Sequence, residues 1–315
     1  MPKYIVKRLI SAIPVLLIVV FIAFFLMRML PGDVAVMILG KEADPGDLEI
    51  LRETMGLNDP LYKQFVDYIV DLLHGDWGTS LYNNLPVFEN IRTSLEPTVL
   101  IMILSVLISI VIGIPIGVIS AVHRNSVLDY TLMSVSVLGL SIPVFWSSIM
   151  LAFYVGTLWG ILPNMYYYKI SEVGLWQSIR YVMLPSIALG FQSVASIARY
   201  TRSTMLDVLN NDYIRTARAK GLRESVVRYQ HALKNAMSPV ITHVGTNVAS
   251  LMGGACVCET VFSINGMGKL AYDSLMRRDY PQVQAIILVV AMVYIVVNLI
   301  VDILYKAFDP RVELN

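Results

Sequence analysis

From Pro97 to Val122 the chain reads PTVLIMILSVLISIVIGIPIGVISAV, without a charged side chain between Glu96 and His123. As a helix this stretch rises about 39 Å, more than the roughly 30 Å hydrocarbon core of a bilayer. A soluble fold could not bury it on every side, and the pattern recurs along the chain. Leu9–Met27 is a second crossing of this kind; a third lies within the uncharged stretch Tyr130–Tyr168, and others cover Tyr181–Ala198, Asn235–Cys258 and Tyr280–Val301. The far end of Tyr130–Tyr168, with Gly160, Pro163, Asn164 and Tyr166 to Tyr168, reads as an interfacial belt. With 56% hydrophobic and 15% charged residues, a chain of 315 residues carries more apolar surface than a soluble domain buries. The expected class is all-α, a polytopic membrane protein with about six transmembrane helices.

Orientation follows from lysine and arginine, which short cytoplasmic segments retain. Lys3, Lys7 and Arg8 precede the first span, Arg124 follows the second, Arg199 and Arg202 end the fourth, and Lys306 and Arg311 follow the sixth. If the spans alternate, these segments share one side, and both termini are expected in the cytoplasm. The segment from Pro31 to Glu96 then falls on the other face, and it is acidic: Glu42, Asp44, Asp47, Glu49, Glu53, Asp59, Asp67, Asp71 and Asp76 outnumber Lys41, Arg52 and Lys63. The basic start could belong to a signal peptide. Its apolar core is too long for one and no small-residue cleavage site follows Phe25, so a retained first helix is expected. The expected organisation is a tail and first helix (1–29), an acidic, partly helical segment (30–96), a five-helix core (97–305) containing a polar loop (204–238), and a terminal tail (306–315). Within the acidic segment, Leu57-Asn58-Asp59-Pro60 before the periodic stretch Leu61 to Leu73 signals a helix.

No catalytic residue is expected. The nearest approach to a phosphate-binding G-x-x-x-x-G-K-[ST] is Ser263-Ile264-Asn265-Gly266-Met267-Gly268-Lys269-Leu270, which has Ser at the first glycine and Leu at the hydroxyl position; it reads as a turn. The second and third spans contain no ionisable group to relay protons, which disfavours an ion-coupled carrier. Cys256 and Cys258, two apart on a helix, point to different faces and serve as small apolar residues; Glu259 is the only adjacent metal-ligand candidate, so no metal site is expected.

The loop from Asn210 to Pro239 is the polar exception among these spans. Asn211 or Asp212 can cap a helix whose last turn holds Arg218 and Lys220, and Gly221 can end it in a left-handed conformation. Tyr213, Ala217 and Gly221 recur every four residues, giving a small, smooth flank with Arg215 and Arg218 round from it. Such a helix suits a partner's groove. Attraction to anionic lipid and the setting of topology account for a basic loop too, but neither needs two helices separated by a glycine break.

At these residues the chain resembles a family. Tyr213-Ile214-Arg215-Thr216-Ala217-Arg218-Ala219-Lys220-Gly221-Leu222, followed by His231-Ala232-Leu233-Lys234-Asn235-Ala236, is similar to the cytoplasmic loop of bacterial binding-protein-dependent ABC importer permeases of the dipeptide, oligopeptide and nickel branch. Tyr4 to Leu9 with Leu30-Pro31-Gly32-Asp33 resembles the opening of the first of the two permeases in such systems, Glu259 to Gly268 and Arg278 to Gln284 its last outer loop, and Asp309-Pro310-Arg311 its tail. The general permease pattern places Glu-Ala-Ala before the glycine; Arg215-Thr216-Ala217 stands there here. The resemblance implies a type I ABC importer permease in the bacterial cytoplasmic membrane, with Tyr213, Arg215, Thr216, Ala217, Arg218, Ala219, Lys220, Gly221 and Leu222 coupling it to ATPases. Its implied partners are a second, different permease, two ATPase subunits that hold the ATP and magnesium, an extracytoplasmic binding protein and the lipid bilayer, but no nucleic acid. A peptide pathway calls for hydrogen bonds without strong charge, for which Ser141, Ser193, His243, Asn247 and Ser250 are candidates; Gly113 and Gly117, at G-x-x-x-G spacing, read as helix packing. Nickel, a metal chelate or glutathione is the alternative cargo, and a secondary carrier or membrane scaffold the alternative class.

Overall fold

A computed structural model describes residues 2–29, 33–40 and 42–308. Leu30 to Gly32 and Asp309 to Arg311 lie outside the described residues. Two compact units emerge, one from Met1–Ser94 with Leu270–Ile295 and the other from Leu95–Lys269 with Val296–Asn315.

The first unit begins with α1 (Pro2–Met29), followed by three short helices, α2 (Val34–Leu39), α3 (Pro45–Thr54) and α4 (Leu61–Leu73). Local chemistry starts two of them: the Asp33 carboxylate accepts from the Ala35 N–H at 2.9 Å, and Asp44 accepts from Gly46 at 2.7 Å with Pro45 in the first turn. The expected helix over 61–73 is α4. Its Phe65 lies 5.2 Å, ring centre to ring centre, from Phe24 of α1, and Tyr68 stacks on the same ring at 5.9 Å. Arg28 lies 3.5 Å over the Phe24 ring and donates to Gln64 at 2.9 Å, so α4 is held to the end of α1. The buried carboxylate of Asp279, just before α14 (Tyr280–Phe308), accepts from the Leu81 N–H at 3.1 Å and from the Ser80 hydroxyl. Asn90 donates to Gln282 at 2.8 Å. These bonds tie the 80–90 segment to the start of the last helix.

The second unit holds most of α5 (Val87–Val122), then α6 (Val127–Ser141), α7 (Val144–Leu151) running into a π-helical turn (Ala152–Leu158), and α8 (Ile170–Val173). Next come α9 (Leu175–Leu209), α10 (Asp212–Ala219), α11 (Glu224–Val226) with a second π-helical turn (Val227–Leu233), α12 (Lys234–Val261) and α13 (Met267–Met276), which runs on into the first unit. Among the described residues four helices are long and apolar enough to cross a membrane, α1, α5, α9 and α14, and two bent pairs raise the number to six when each pair is one span. Those six coincide with the stretches marked by missing charge. The third is not one helix: α6 and the α7 segment meet at 98°, because Pro143 pushes Ile142 into extended backbone.

The core of this unit forms where α9 and α12 meet, around Val182, Leu184, Ala188, Leu189, Leu251, Ala255 and Cys258. Cys258 packs there as a small apolar residue against the Ser148 hydroxyl, and neither cysteine forms a disulfide. Gly113 and Gly117 set the approach of α5 to α9. A Cβ on Gly117 would stand 2.5 Å from the Ala198 carbonyl and 2.6 Å from the Thr201 Cβ, so only glycine fits at this crossing.

Gly117→Val is expected to lower the thermal midpoint of the purified protein, with an overpacking cost of about 1–3 kcal/mol. Gly253→Ala, where an added Cβ meets nothing within 4 Å, should leave it unchanged or slightly raised in the same melt.

Candidate functional site

The basic loop folds as two short helical pieces joined at a glycine. Asn211 occupies the N-cap position of α10 with extended backbone but makes no side-chain cap, and Asp212 places its charge in the first turn, favourable to the helix dipole. The side-chain capping expected of these two residues is therefore replaced by an electrostatic contribution from Asp212. Gly221 has φ +76°; its N–H bonds the Arg218 carbonyl at 2.9 Å while the Leu222 N–H reaches Ala217 at 3.4 Å. This pair of bonds closes a helix with a left-handed residue after the cap, a conformation that disfavours side chains other than glycine. Glu224, opening α11, accepts from Arg218 at 2.9 Å and lies 3.3 Å from Arg228, which links the two pieces across the break.

One face of α10 belongs to the protein. Ile214 and Ala217 are buried with Val118 and Ala121 of α5, Met205 of α9, Val227 and Ala232 of the second π-helical turn, and Ala236 of α12. Tyr213, Arg215, Thr216, Arg218, Ala219, Lys220, Gly221 and Leu222 are exposed, and the Arg215 side chain is 74% accessible. Ala217, at 8%, corrects the expected Tyr213–Ala217–Gly221 docking flank. Ile214, the largest aliphatic residue of the helix, is the one fully buried, and Ala217 three residues on shares its face. The outward face is thus basic and polar, and Ala217 supports it from beneath.

Beneath this loop lies a pair of charges. Asp129, in the first turn of α6, has 1% of its side chain exposed and is bound bidentately by Arg202 of α9, Nε to Oδ1 and Nη2 to Oδ2, both at 2.7 Å. The Ser120 hydroxyl donates to Oδ1 and the Asn125 N–H to Oδ2 at 3.0 Å, so α5, the α5–α6 turn, α6 and α9 meet on one carboxylate. This corrects the expectation of a third span without ionisable groups, since that helix starts early enough to include Asp129. Arg202, read in the sequence only as charge at a span end, is the partner. An aspartate three residues after a serine, Ser126, is the visible local signal; nothing in the sequence marks residue 202 as its mate.

Glu259 is likewise fully buried. It accepts from Thr98 Oγ1 at 2.6 Å and the Lys269 N–H at 2.8 Å, while the Met267 N–H donates to Thr98 at 2.8 Å. A Cβ on Gly266 would stand 2.3 Å from the Glu259 carboxyl, which explains the glycine. In the Ser263–Leu270 stretch, residues 263–266 turn the chain after α12 and residues 267–270 open α13, whose Lys269 N–H meets this carboxylate.

Of the candidate pathway residues, two come together. His243 of α12 bonds Ser196 of α9 at 2.9 Å and Asn247 at 3.1 Å, and its ring stacks on Tyr200 with centres 4.2 Å apart. Ser193 is buried one turn before Ser196. Ser141 bonds the Val137 carbonyl at the exposed end of α6, and Ser250 is exposed beyond the bend of α12; among the described residues no hydrogen bond joins either to the cluster. Ser196 and Tyr200 escaped the sequence reading, although their i, i+4 spacing opposite a span histidine was available.

Residues 113–314 match the family model described as "Binding-protein-dependent transport system inner membrane component", and residues 1–100 match its N-terminal companion. The chain is 41% identical over 332 aligned positions to the dipeptide transport system permease protein DppB of Alkalihalophilus pseudofirmus, covering 99% of this chain and all of the relative. It is 40% identical to the oligopeptide transport system permease protein AppB of Bacillus subtilis, again over 99% and 100%. The glutathione transport system permease protein GsiC of Escherichia coli is 40% identical over 99% of both chains. Among solved structures, an inward-facing form of the MetNI methionine ABC transporter superposes with a TM-score of 0.59 at 16% identity, covering 70% of this chain and 97% of that one, a likeness of fold.

Arg202→Gln leaves the Asp129 carboxylate buried without its cation, and is expected to cost about 3–5 kcal/mol. The Asp129→Asn/Arg202→Gln double variant should recover a substantial part in the same unfolding assay; equal losses in the single and double variants would contradict the pairing.

Proposed function

Because this chain belongs to the family of binding-protein-dependent transport system inner membrane components and is a permease subunit of an ABC importer, we propose that its cargo is di- and oligopeptides, driven inward by ATP hydrolysed on other chains. The observation that carries the cargo assignment is end-to-end similarity near 40% to dipeptide, oligopeptide and glutathione permeases. Glutathione, itself a tripeptide, falls within the same chemistry; nickel or a metal chelate is the alternative that competition resolves.

In this reading α10 is the coupling helix, on the cytoplasmic side to which the positive charges point. Two ATPase subunits, carrying ATP and magnesium, close against the face of Tyr213, Arg215, Thr216, Arg218, Ala219, Lys220 and Leu222. Ile214 and Ala217 pass the displacement to Met205 of α9 and Val118 of α5, and the Arg202–Asp129 pair passes it to α6. Rigid groups of helices then alternate access, and a second permease, expected to be a different chain, supplies the opposite wall. His243, Asn247 and Ser196, with Ser193, offer hydrogen bonds along α9 and α12 to a peptide backbone, which every peptide presents whatever its side chains. An extracytoplasmic binding protein delivers cargo to the acidic segment, and the complex resides in the bacterial cytoplasmic membrane.

Uptake by proteoliposomes containing this chain, its partner permease, the ATPases and the binding protein tests the reading, with labelled di- to pentapeptides competing against a Ni²⁺ chelate. ATP-dependent peptide uptake is expected, and uptake of the chelate alone would contradict it. Arg215→Glu should lower ATP-driven uptake roughly five- to tenfold, on the order of 1 kcal/mol of docking, at unchanged membrane levels. Ala217→Arg is not an equivalent test, because it overfills a buried position.

A further inference from the structure

The unit formed by residues 1–94 and 270–295 carries a cleft of about 480 Å³ that the transport steps above leave unused. A second cleft of about 280 Å³ shares its wall of Arg28, Gln64, Pro281 and Gln284. Both lie within the one unit. Their size together falls in the range of small-molecule sites, roughly 300–1,000 Å³.

The two clefts share Arg28 and differ in their balance of charge. In the larger, Asp33 is neutralised by Arg52, whose Nη2 and Nε lie 2.5 and 2.9 Å from one carboxylate oxygen. That pairing holds the Asp33 carboxyl below its usual range. Arg28 has no such partner: among the described residues its Nε donates to Gln64 and its plane covers Phe24, and no carboxylate comes within ion-pair distance. Two further donors on this wall are unmet. The Gln284 side chain is 5% exposed and its Nε2 has no acceptor, and Tyr280, 8% exposed, has a hydroxyl without a partner. Buried donors without acceptors are rare and ask for an explanation. The smaller cleft adds Asp67, Asp71 and Asp76 to the shared wall of Arg28, Gln64 and Gln284, and no ion pair with any of the three acids is found among the described residues.

A guanidinium with free Nη groups, an amide N–H and a phenol match one carboxylate, and the neighbouring acids match an ammonium. We propose that the paired clefts are a holding site for a short zwitterionic peptide, its terminal carboxylate on Arg28, Gln284 and Tyr280 and its ammonium toward Asp67 and Asp71. The assignment rests on the reading that peptides are the cargo. The Gln284 and Tyr280 donors are closed to solvent in this conformation, so the carboxylate reaches each only when that side chain turns toward the cleft it lines. The site gives cargo a place on this chain held by its two termini, blind to the side chains between them. An acidic side chain of a docked binding protein offers the same carboxylate, and the two sources are separable.

The test is binding of labelled trialanine to the full importer in nanodiscs, without nucleotide and without binding protein. Trialanine amide, lacking the carboxylate, should bind at least tenfold more weakly to the unaltered complex, and N-acetyl-trialanine severalfold more weakly. Arg28→Gln should lower trialanine affinity at least tenfold, and Asp67→Asn/Asp71→Asn should erase the difference between free and N-acetylated peptide. Equal binding of acid and amide by a complex that transports peptide overturns the holding site and leaves the cargo assignment standing. Failure of the unaltered complex to take up any peptide overturns the cargo assignment instead. If Arg28→Gln weakens only the docking of the binding protein, the carboxylate belongs to that protein and the proposal fails.

Discussion

A carboxylate with 1% of its side chain exposed, set among apolar helices, is tolerable only with its charge met, and the pairing of Asp129 with Arg202 is the interaction on which the junction of α5, α6 and α9 depends. Four donors converge on the two oxygens, from α5, from the turn after it and from α9. Arg202 lies three residues before Met205, so the end of α9 that grips α6 also grips Ile214 and Ala217 of α10. Gly117 brings α5 against the same stretch of α9 closely enough to exclude a Cβ, and at Gly113 one would crowd Val194 and Ile197. The basic outer face of α10 is therefore mounted on three spans at once, and a push on it moves helices rather than bending a loop.

The opposite end of the unit is organised by another buried carboxylate with a different partner set. Glu259 takes a threonine hydroxyl from α5 and a backbone N–H from the first turn of α13, so the polypeptide after the span is folded back onto it. Between the two carboxylates α12 carries His243 and Asn247 against Ser196 and Tyr200 of α9. The basic loop reaches α12 through the π-helical turn Val227–Leu233, whose wider ring bonds differ from the tighter helix on either side. Loop, ion pair and polar cluster thus lie along one continuous path of packed elements.

Much of this was legible in the residues. Missing charge located every span, because charge is what a hydrocarbon core excludes. A glycine after a basic last turn marked the end of α10, because only its left-handed conformation needed explaining. The helix over 61–73 showed in its periodicity. The facing of α10 was misread because a repeat of small residues looked like a contact surface, whereas one isoleucine outweighed it in burial. The Asp129–Arg202 pair, the Glu259 turn and the Ser196–His243 contact join residues tens of positions apart, and sequence spacing has no term for that. Unmet donors on Arg28, Gln284 and Tyr280 become visible only once every neighbour is placed.

The central claim is that the outward face of α10 meets the ATP-hydrolysing subunits while its inward face transmits to the spans. The most direct measurement is photo-crosslinking in the assembled importer, with a benzophenone amino acid at Arg215 in one variant and at Ile214 in another. Capture of an ATPase subunit from position 215, with position 214 yielding only crosslinks within this chain, is the predicted result. Capture of an ATPase from 214, or only lipid from 215, would contradict the account.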